Sequence, residues 1–245
     1  LAPRPNFANI RGMSFYYGDK LVTTLPEERI KDLDEIPSPF LAGCFPDDAQ
    51  YTMCFLETNR GCPFKCSYCY WGGAIGAKVN KMGVDRIHGD MTWISKRGIP
   101  ALFLVDANWG MLKRDVELTE HLIACRNEHG FPMEVYFQSA KNSPAQVGEI
   151  SQMLAGAGLL GAASIAIQSM SDVALERVGR SNIKKSTYRS HQETLARCDI
   201  NSFIELLWPL PGETLSSFRD GISELCESGA DSFMIYPLLL INNCE

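Results

Sequence analysis

The sequence lacks the features of several common protein classes. No apolar run approaches the roughly 20 residues that a helix needs to span a bilayer, and no signal peptide is recognisable. Basic residues are outnumbered, since 23 lysines and arginines stand against 29 aspartates and glutamates, and the formal net charge is −6. This balance gives no electrostatic basis for gripping a nucleic-acid backbone. We therefore expect neither a membrane segment nor a nucleic-acid partner.

Paired cysteines are also scarce. The nine cysteines are an odd number without a disulfide rhythm, so we predict a reducing, cytoplasmic location. A structural zinc site wants four ligands, commonly two C-x2-C pairs. The chain has one such pair, no histidine near it, and otherwise isolated cysteines. This pattern disfavours zinc.

One loop nevertheless holds three cysteines close together. It runs from Gly61 to Cys69 with the spacing C-x3-C-x2-C, at Cys62, Cys66 and Cys69, directly after an apolar run. Three thiolates on a short loop suit an iron–sulfur cube in which each cysteine takes one iron. The fourth iron is then open and can chelate the amino and carboxylate groups of a methionine. We favour this cluster, with zinc as the alternative.

With Tyr68 just before its last cysteine, this cluster loop (residues 61–69) resembles the motif of the radical S-adenosylmethionine enzymes. The resemblance covers roughly residues 51–240. It implies that the three cysteines hold a 4Fe–4S cluster and that S-adenosylmethionine binds the open iron. One electron from the cluster then breaks a C–S bond and leaves a 5′-deoxyadenosyl radical. The main chain at Tyr68 is expected to meet the adenine, with simple packing under the loop as the alternative.

Short apolar runs alternate with helical patterns from Tyr51 onward. The runs are nearly continuous in apolar residues, as strands of a covered parallel sheet should be. Six strand–helix steps predict an α/β fold, a partial (β/α)6 TIM-like barrel with parallel strands and its site at their carboxyl ends. The predicted strands are Tyr51–Thr58, Ala101–Asp106, Glu134–Gln138, Ala162–Gln168, Asn201–Trp208 and Asp231–Leu239. Helical patterns begin near Val84 and Asp115 and cover Ala145–Gly156, Thr187–Cys198 and Thr214–Ser228.

Polar residues follow several of these strands. Asp106 and Asn108 lie in a D-x-N-aromatic-G stretch that resembles the cobalamin-binding subgroup, and they are candidates to accept from the ammonium of S-adenosylmethionine. An Asx-type turn into the next helix is the alternative. Gln168 and Ser169 end the fourth strand, where the family contacts the ribose and methionine moieties. Lys141, after the third strand, is expected to be a solvated loop lysine.

The fifth strand runs into Leu210-Pro211-Gly212-Glu213-Thr214, which resembles the family's turn near the adenine. Gly212 and Glu213 are therefore candidate cofactor-binding residues, with glycine allowing the backbone to come close to a flat ligand. Thr214 is expected to cap the following helix. Arg180 lies in a stretch, Gly179 to Asn182, that resembles the family's G-R-x-N turn, and we expect it to brace its loop.

Residues 1–50 differ from the rest of the chain. They hold six prolines and no sustained helical or strand period. A small hairpin around Gly18-Asp19 and an extended connector over Leu33–Phe40 are predicted. The connector resembles the one that joins a cobalamin-binding domain to the radical domain in one subgroup. We therefore divide the chain into a connector, 1–50, and a radical core domain, 51–245, and expect cobalamin to be bound by a segment before Leu1.

The resemblance implies an enzyme that takes an electron from an external donor and acts on a small molecule or a peptide. Cobalamin-dependent methyl transfer and other C–H modification are both compatible with it. One alternative is a cobalamin-independent, methylthiotransferase-like enzyme of the same superfamily. Another is a non-enzymatic iron–sulfur or zinc module, which would use four protein ligands and would not cleave S-adenosylmethionine.

Overall fold

The computed structural model describes residues 7–71, 78–141, 143–181 and 185–239. Strands and helices alternate in it from Met53 onward, as the sequence predicts. The strands are β1 Ser14–Tyr17, β2 Lys20–Thr23, β3 Met53–Leu56, β4 Asn59–Arg60, β5 Asn80–Lys81, β6 Ala101–Trp109, β7 Glu134–Ser139, β8 Ala162–Gln168, β9 Asn201–Trp208 and β10 Ser232–Pro237. The helices are α1 Val84–Lys96, α2 Arg114–His129, α3 Pro144–Gly156, α4 Asp172–Arg177, α5 Lys185–Arg197 and α6 Leu215–Glu227, with a short 3-10 helix at Leu33–Glu35.

Six of the strands, β3 and β6 to β10, pair in parallel and form two three-stranded sheets. One has the order β3-β6-β7 and the other the order β10-β9-β8, and the two adjoin between β7 and β8. Helices pack on the outer face of the sheets. Because the strands of each sheet are parallel, their carboxyl ends lie on the same side, where the site is expected. The predicted α/β fold, a partial barrel of parallel strands, is confirmed.

Element boundaries differ from the prediction mainly around the site. β3 is shorter than the predicted run because the chain leaves β6 after Leu56 and pairs β4 with β5 instead. β6 is longer and reaches Trp109. Helix α4 was not predicted, and it begins where the Ser171 side chain accepts from the amide of Ala174.

Each sheet packs against its own helices. The first core joins β3, β6 and β7 to α1, α2 and α3, and the second joins β8 and β9 to α5 and α6. Leu160 contacts both cores, which ties the two sheets together. The fully buried side chains of the first core include Ile87, Leu102, Leu122, Ile150 and Leu154, and those of the second include Ile204 and Leu225.

Helix ends follow local chemistry. The Thr214 side chain accepts from the amide of Ser217, and the Ser217 side chain accepts from the amide of Thr214, so the predicted cap is confirmed as a capping box. Helix α3 has Pro144 in its first turn, where the missing N–H costs nothing. Helix α2 ends at Gly130, whose left-handed conformation, φ 81°, suits glycine.

The first 50 residues contain two organised features. The predicted hairpin is confirmed, with β1 and β2 pairing around Gly18-Asp19. The extended connector is partly wrong, because the Asp32 side chain accepts from Asp34 N and starts the 3-10 helix. Leu33 and Phe40 are buried in the first core, so this connector packs on the barrel. The division at residue 50 stays a prediction.

None of the helices in the described ranges is long and apolar enough to cross a membrane. The longest of them, α2, has 16 residues. A span needs about 20 residues of mainly apolar character.

The packing makes a simple stability prediction. Leu102 is fully buried in β6, so Leu102→Ala should lower the free energy of unfolding by about 2–5 kcal/mol through lost burial and a cavity. Leu25, which is 70% exposed, provides the control, and Leu25→Ala should change it by less than about 0.5 kcal/mol. Denaturant titration of both variants measures the difference. Equal effects would contradict the assigned core.

Candidate functional site

The cluster loop leaves the first sheet at the carboxyl end of β3. Cys62 and Cys66 are buried and Cys69 is partly exposed. Gly61 precedes them with φ 119°, and a Cβ there would lie 2.5 Å from the carbonyl oxygen of Lys78. Glycine is therefore required for the loop to pass so close to the backbone next to β5.

The loop is fastened to the second sheet as well. The amide of Ser67 donates to the carbonyl of Val178, at 3.0 Å. Arg180 donates to the Tyr68 hydroxyl at 2.9 Å and also to the carbonyl of Ala166 in β8. The bracing role predicted for Arg180 matches these contacts. Asn182 of the predicted turn lies outside the described residues.

The predicted cysteines face a common set of polar groups. The Asn108 amide donates to the Cys62 sulfur at 3.4 Å. Burial raises the pKa of the Cys69 thiol, and the positive charge of Lys141 opposes this shift. Burial lowers the pKa of Lys141, Arg180 adds to that effect, and the three cysteines oppose it. A nearby cation and an amide donor both stabilise the thiolate form of cysteine, which is the form that binds metals.

Two metal groups are candidates for the three cysteines. A tetrahedral zinc ion binds all of its ligands to one metal, whereas an iron–sulfur cube takes one thiolate on each iron. Among the residues that the structure describes, no group of three or more histidine, cysteine, aspartate or glutamate side chains is arranged to hold a single metal ion. The assignment of the cysteines to a cluster stays a prediction.

Asp106 binds the chain segment before the cluster loop, a contact that was not among the predictions for this residue. Its buried carboxylate accepts from Thr58 N at 2.9 Å, Thr58 Oγ1 at 2.6 Å and Asn59 N at 2.9 Å. These donors occupy the carboxylate and tie β6 to the chain that enters the cluster loop. They favour a structural role over direct contact with an ammonium group, and the Asx-type turn into the next helix is not formed by this residue.

The charge of Asp106 is affected by its burial. Desolvation raises its pKa to about 6, the negative charge of Asp115 acts in the same direction, and the hydrogen bonds from Thr58 and Asn59 oppose it. Arg114 completes the support by donating to the carbonyls of Thr58, at 2.6 Å, and Met82. Sequence reasoning missed Thr58 and Arg114, because neither has a motif of its own.

Asn108 and Trp109 bring unpartnered polar atoms to this side of the site. Both residues are buried at the end of β6. Among the described residues, the side-chain oxygen of Asn108 and the ring nitrogen of Trp109 have no hydrogen-bond partner. Buried polar atoms normally have a partner, so the Asn108 oxygen is a candidate to meet a ligand, whereas Trp109 is fully buried in the first core. The turn predicted here is made by Asp115, whose carboxylate accepts from the amides of Gly110 and Leu112.

The remaining candidates lie on the second sheet. Gln168 has a positive φ of 70° at the point where the β8–β9 register shifts. Ser169 donates to Glu213 at 2.5 Å, so the ends of β8 and β9 meet. The other Glu213 oxygen is buried without a protein partner, and burial raises the pKa of this carboxyl against the hydrogen bond from Ser169.

Gly212 has φ 84°, a conformation that favours glycine. A Cβ there would lie 2.7 Å from the flexible side chain of Arg177, which could move away. The predicted contact with adenine stays a prediction. Lys141 was misjudged, because it is half-buried near the cysteines and is not a solvated loop lysine. Its position directly after a parallel strand was the available signal.

Two curated relatives match almost the whole chain. The cobalamin-dependent radical SAM methyltransferase TokK of Streptomyces tokunonensis is 34% identical over 253 aligned residues, which cover 99% of this chain and 37% of that protein. The 2-(S-pantetheinyl)-carbapenam-3-carboxylate methyltransferase of Streptantibioticus cattleyicolor is 35% identical over 252 residues, again 99% and 37%. The chain is therefore similar in sequence to radical S-adenosylmethionine methyltransferases. It spans just over a third of the length of these relatives, and no protein-family model matches it.

Solved structures of radical S-adenosylmethionine enzymes share the fold. The methyltransferase TsrM from Kitasatospora setae, with cobalamin and a [4Fe-4S] cluster bound, has a TM-score of 0.63 at 18% identity and covers 77% of this chain and 37% of that chain. The cobalamin-dependent enzyme OxsB, with aqua-cobalamin bound, has a TM-score of 0.59 at 15% identity, with coverages of 90% and 33%. At such identities the likeness establishes the fold alone.

The carboxylate of Asp106 makes a pH-dependent prediction. Because its folded-state pKa is raised to about 6 from 3.8, protonation favours the folded state. Its stabilising contribution is complete below the unfolded pKa and is lost as the pH rises through about 6. The free energy of unfolding of the wild type, relative to Asp106→Asn, should therefore fall between about pH 4 and pH 7. Parallel curves in urea titrations across this range would rule this out.

Proposed function

We propose that this chain is the core of a cobalamin-dependent radical S-adenosylmethionine methyltransferase. The observation that carries the proposal is the cluster loop, in which Cys62 and Cys66 are buried beside Cys69 at the carboxyl end of a parallel sheet, with Asn108 donating to one sulfur. The 34% identity to TokK over 99% of the chain supports methyl transfer as the reaction. Because the chain spans 37% of that relative, the activity of the whole protein belongs to the proposal.

The cluster would be held by the three cysteine thiolates, with one iron left for S-adenosylmethionine. When bound, such a cluster supplies single electrons and an open coordination position. The chain's own residues hold and shield it. Asp106 and Arg114 fix the segment before the first cysteine, and Arg180 fixes the tyrosine before the last one. A fixed loop keeps the open position directed at one binding region.

The cosubstrate would bind along the strand ends of both sheets. Asn108 offers a buried side-chain oxygen that has no partner among the described residues, which suits the ammonium group of the methionine moiety. Glu213 offers a carboxylate oxygen that likewise has no partner there, which suits a ribose hydroxyl or an adenine amino group. The further members of the proposed site are Tyr68, Gln168, Ser169 and Gly212. Asp106 supports the site through the hydrogen bonds that it accepts from Thr58 and Asn59.

The substrate would be a small molecule. The relative from Streptantibioticus cattleyicolor is named a 2-(S-pantetheinyl)-carbapenam-3-carboxylate methyltransferase. A third relative, from Streptomyces laurentii and 24% identical over 71% of this chain, is named a tryptophan 2-C-methyltransferase. Cobalamin would be bound by a segment outside this chain, and an external donor would supply the electrons. The reducing cytoplasm predicted from the cysteines belongs to the same proposal, since such clusters are oxygen-labile.

Iron content tests the cluster directly. Anaerobically reconstituted protein should bind about four irons, one for each corner of the cube. Cys62→Ala, Cys66→Ala and Cys69→Ala should each lose the cluster and the cleavage of S-adenosylmethionine. Cys198→Ala is the matched control, because Cys198 is exposed just after α5, and it should keep both. Full iron content in the Cys66 variant would refute the ligand assignment.

Binding of S-adenosylmethionine tests the role of Asn108. Asn108→Ala removes the unpartnered acceptor and should weaken binding by about 1–3 kcal/mol, the usual range for a hydrogen bond to a charged group. The cluster should stay loaded, since no iron ligand is lost. Equilibrium binding to the iron-loaded protein measures the change, with Asn201→Ala, at the exposed start of β9, as control. Unchanged affinity would remove Asn108 from the site.

A further inference from the structure

Lys141 occupies an unusual position for a lysine. It follows β7 at its carboxyl end, where the amide of Ala140 is held by the carbonyl of Trp109 at 2.8 Å. Its ammonium lies 5.8 Å from the centre of the Phe64 ring in the cluster loop. The side chain also lines a small cavity of about 30 Å³ between the two sheets, together with Arg180. The hydrogen bond of Ala140 therefore fixes the backbone before Lys141, and the ammonium lies beside the ring of the cluster loop.

Lys141 interacts with several charged groups. The groups that interact with it electrostatically are Arg180, Glu205 and the three cysteines of the loop. Arg180 and Glu205 are 5% and 8% exposed, so water screens these charges poorly. Besides the cysteines, the charged groups named by these interactions among the described residues are the cations Lys141 and Arg180 and the carboxylate Glu205. The thiolates of the loop therefore interact with the positive charge of Lys141.

A positive charge acts differently on the two oxidation states of a cluster. One-electron reduction adds one negative charge to the metal group. A nearby fixed cation stabilises the reduced form more than the oxidised form, and the effect is large where water is excluded. Net charge and solvent exposure are among the factors that set the reduction potentials of iron–sulfur clusters. A cation between the sheets is placed to act in this way.

We propose that Lys141 is a positioning residue whose fixed ammonium charge raises the reduction potential of the cluster held by Cys62, Cys66 and Cys69. The inference rests on the proposed function, because it requires the cluster to be bound. It concerns the ease with which an external one-electron donor reduces the protein. A competing role, in which the ammonium binds the carboxylate of S-adenosylmethionine, makes a different prediction and is separated by the experiment.

The experiment is a redox titration of the anaerobically reconstituted protein with dithionite and mediators, with the reduced cluster quantified by electron paramagnetic resonance. Lys141→Gln removes the charge and should lower the ratio of reduced to oxidised cluster about tenfold at a fixed potential, a fall in midpoint of about 59 mV for one electron. Lys141→Arg keeps the charge and should restore the wild-type midpoint. Lys65→Gln is the matched control, since Lys65 is an exposed lysine of the same loop, and its midpoint should stay unchanged.

A second variant tests the sign of the effect and covers a loss of the cluster in Lys141→Gln. Glu205→Gln removes the buried carboxylate that interacts with Lys141 and Arg180, so the midpoint should rise. Iron content and affinity for S-adenosylmethionine are measured on the same samples. An unchanged midpoint in the loaded variants overturns the inference, and weaker cosubstrate binding at an unchanged midpoint assigns Lys141 to the carboxylate instead. Wild-type protein without iron would refute the proposed function itself.

Discussion

The site depends on one buried carboxylate that holds the start of the cluster loop. Asp106 lies in β6, the middle strand of the first sheet, and takes three hydrogen bonds from Thr58 and Asn59. Two of the donors are backbone amides, so the main chain itself is anchored. Leu102 and Leu104 of β6 are buried in the first core, so the anchor is attached to a packed strand. A loop proposed to present three thiolates to one cluster needs such an anchor.

The loop also bridges the two sheets. Its start is bonded to β6 through Asp106, and its end is bonded to the second sheet through Arg180, which reaches both Tyr68 and the carbonyl of Ala166. The two sheets adjoin between β7 and β8. At the carboxyl ends of the strands, the loop adds a further connection between the sheets. Assembly of the site and assembly of the two sheets are coupled through these bonds.

Much of the fold was predictable because its signals are local and repeated. Nearly continuous apolar runs gave β8 and β9 with their correct bounds, and the Thr214 cap was visible from its residue type. The boundary of β3 was missed because the chain departs there to pair with β5, a partner more than twenty residues away. Asp106 was recognised as a candidate site residue, but its hydrogen bonds with Thr58 and Asn59 were not predicted. Its donors lie 47 and 48 residues earlier, and nothing local indicates them.

The sequence by itself was enough to propose the chemistry of the cysteine loop, since three cysteines at C-x3-C-x2-C can be recognised without a fold. It also determined the alternation of strands and helices, because hydrophobic period is a local property. Only the tertiary structure decided which contacts the polar residues at the strand ends make. It showed Asp106 as a support, Asn108 beside a sulfur and Lys141 half-buried near all three cysteines. The reason is physical: burial and the distances between charges arise only when separate strands meet.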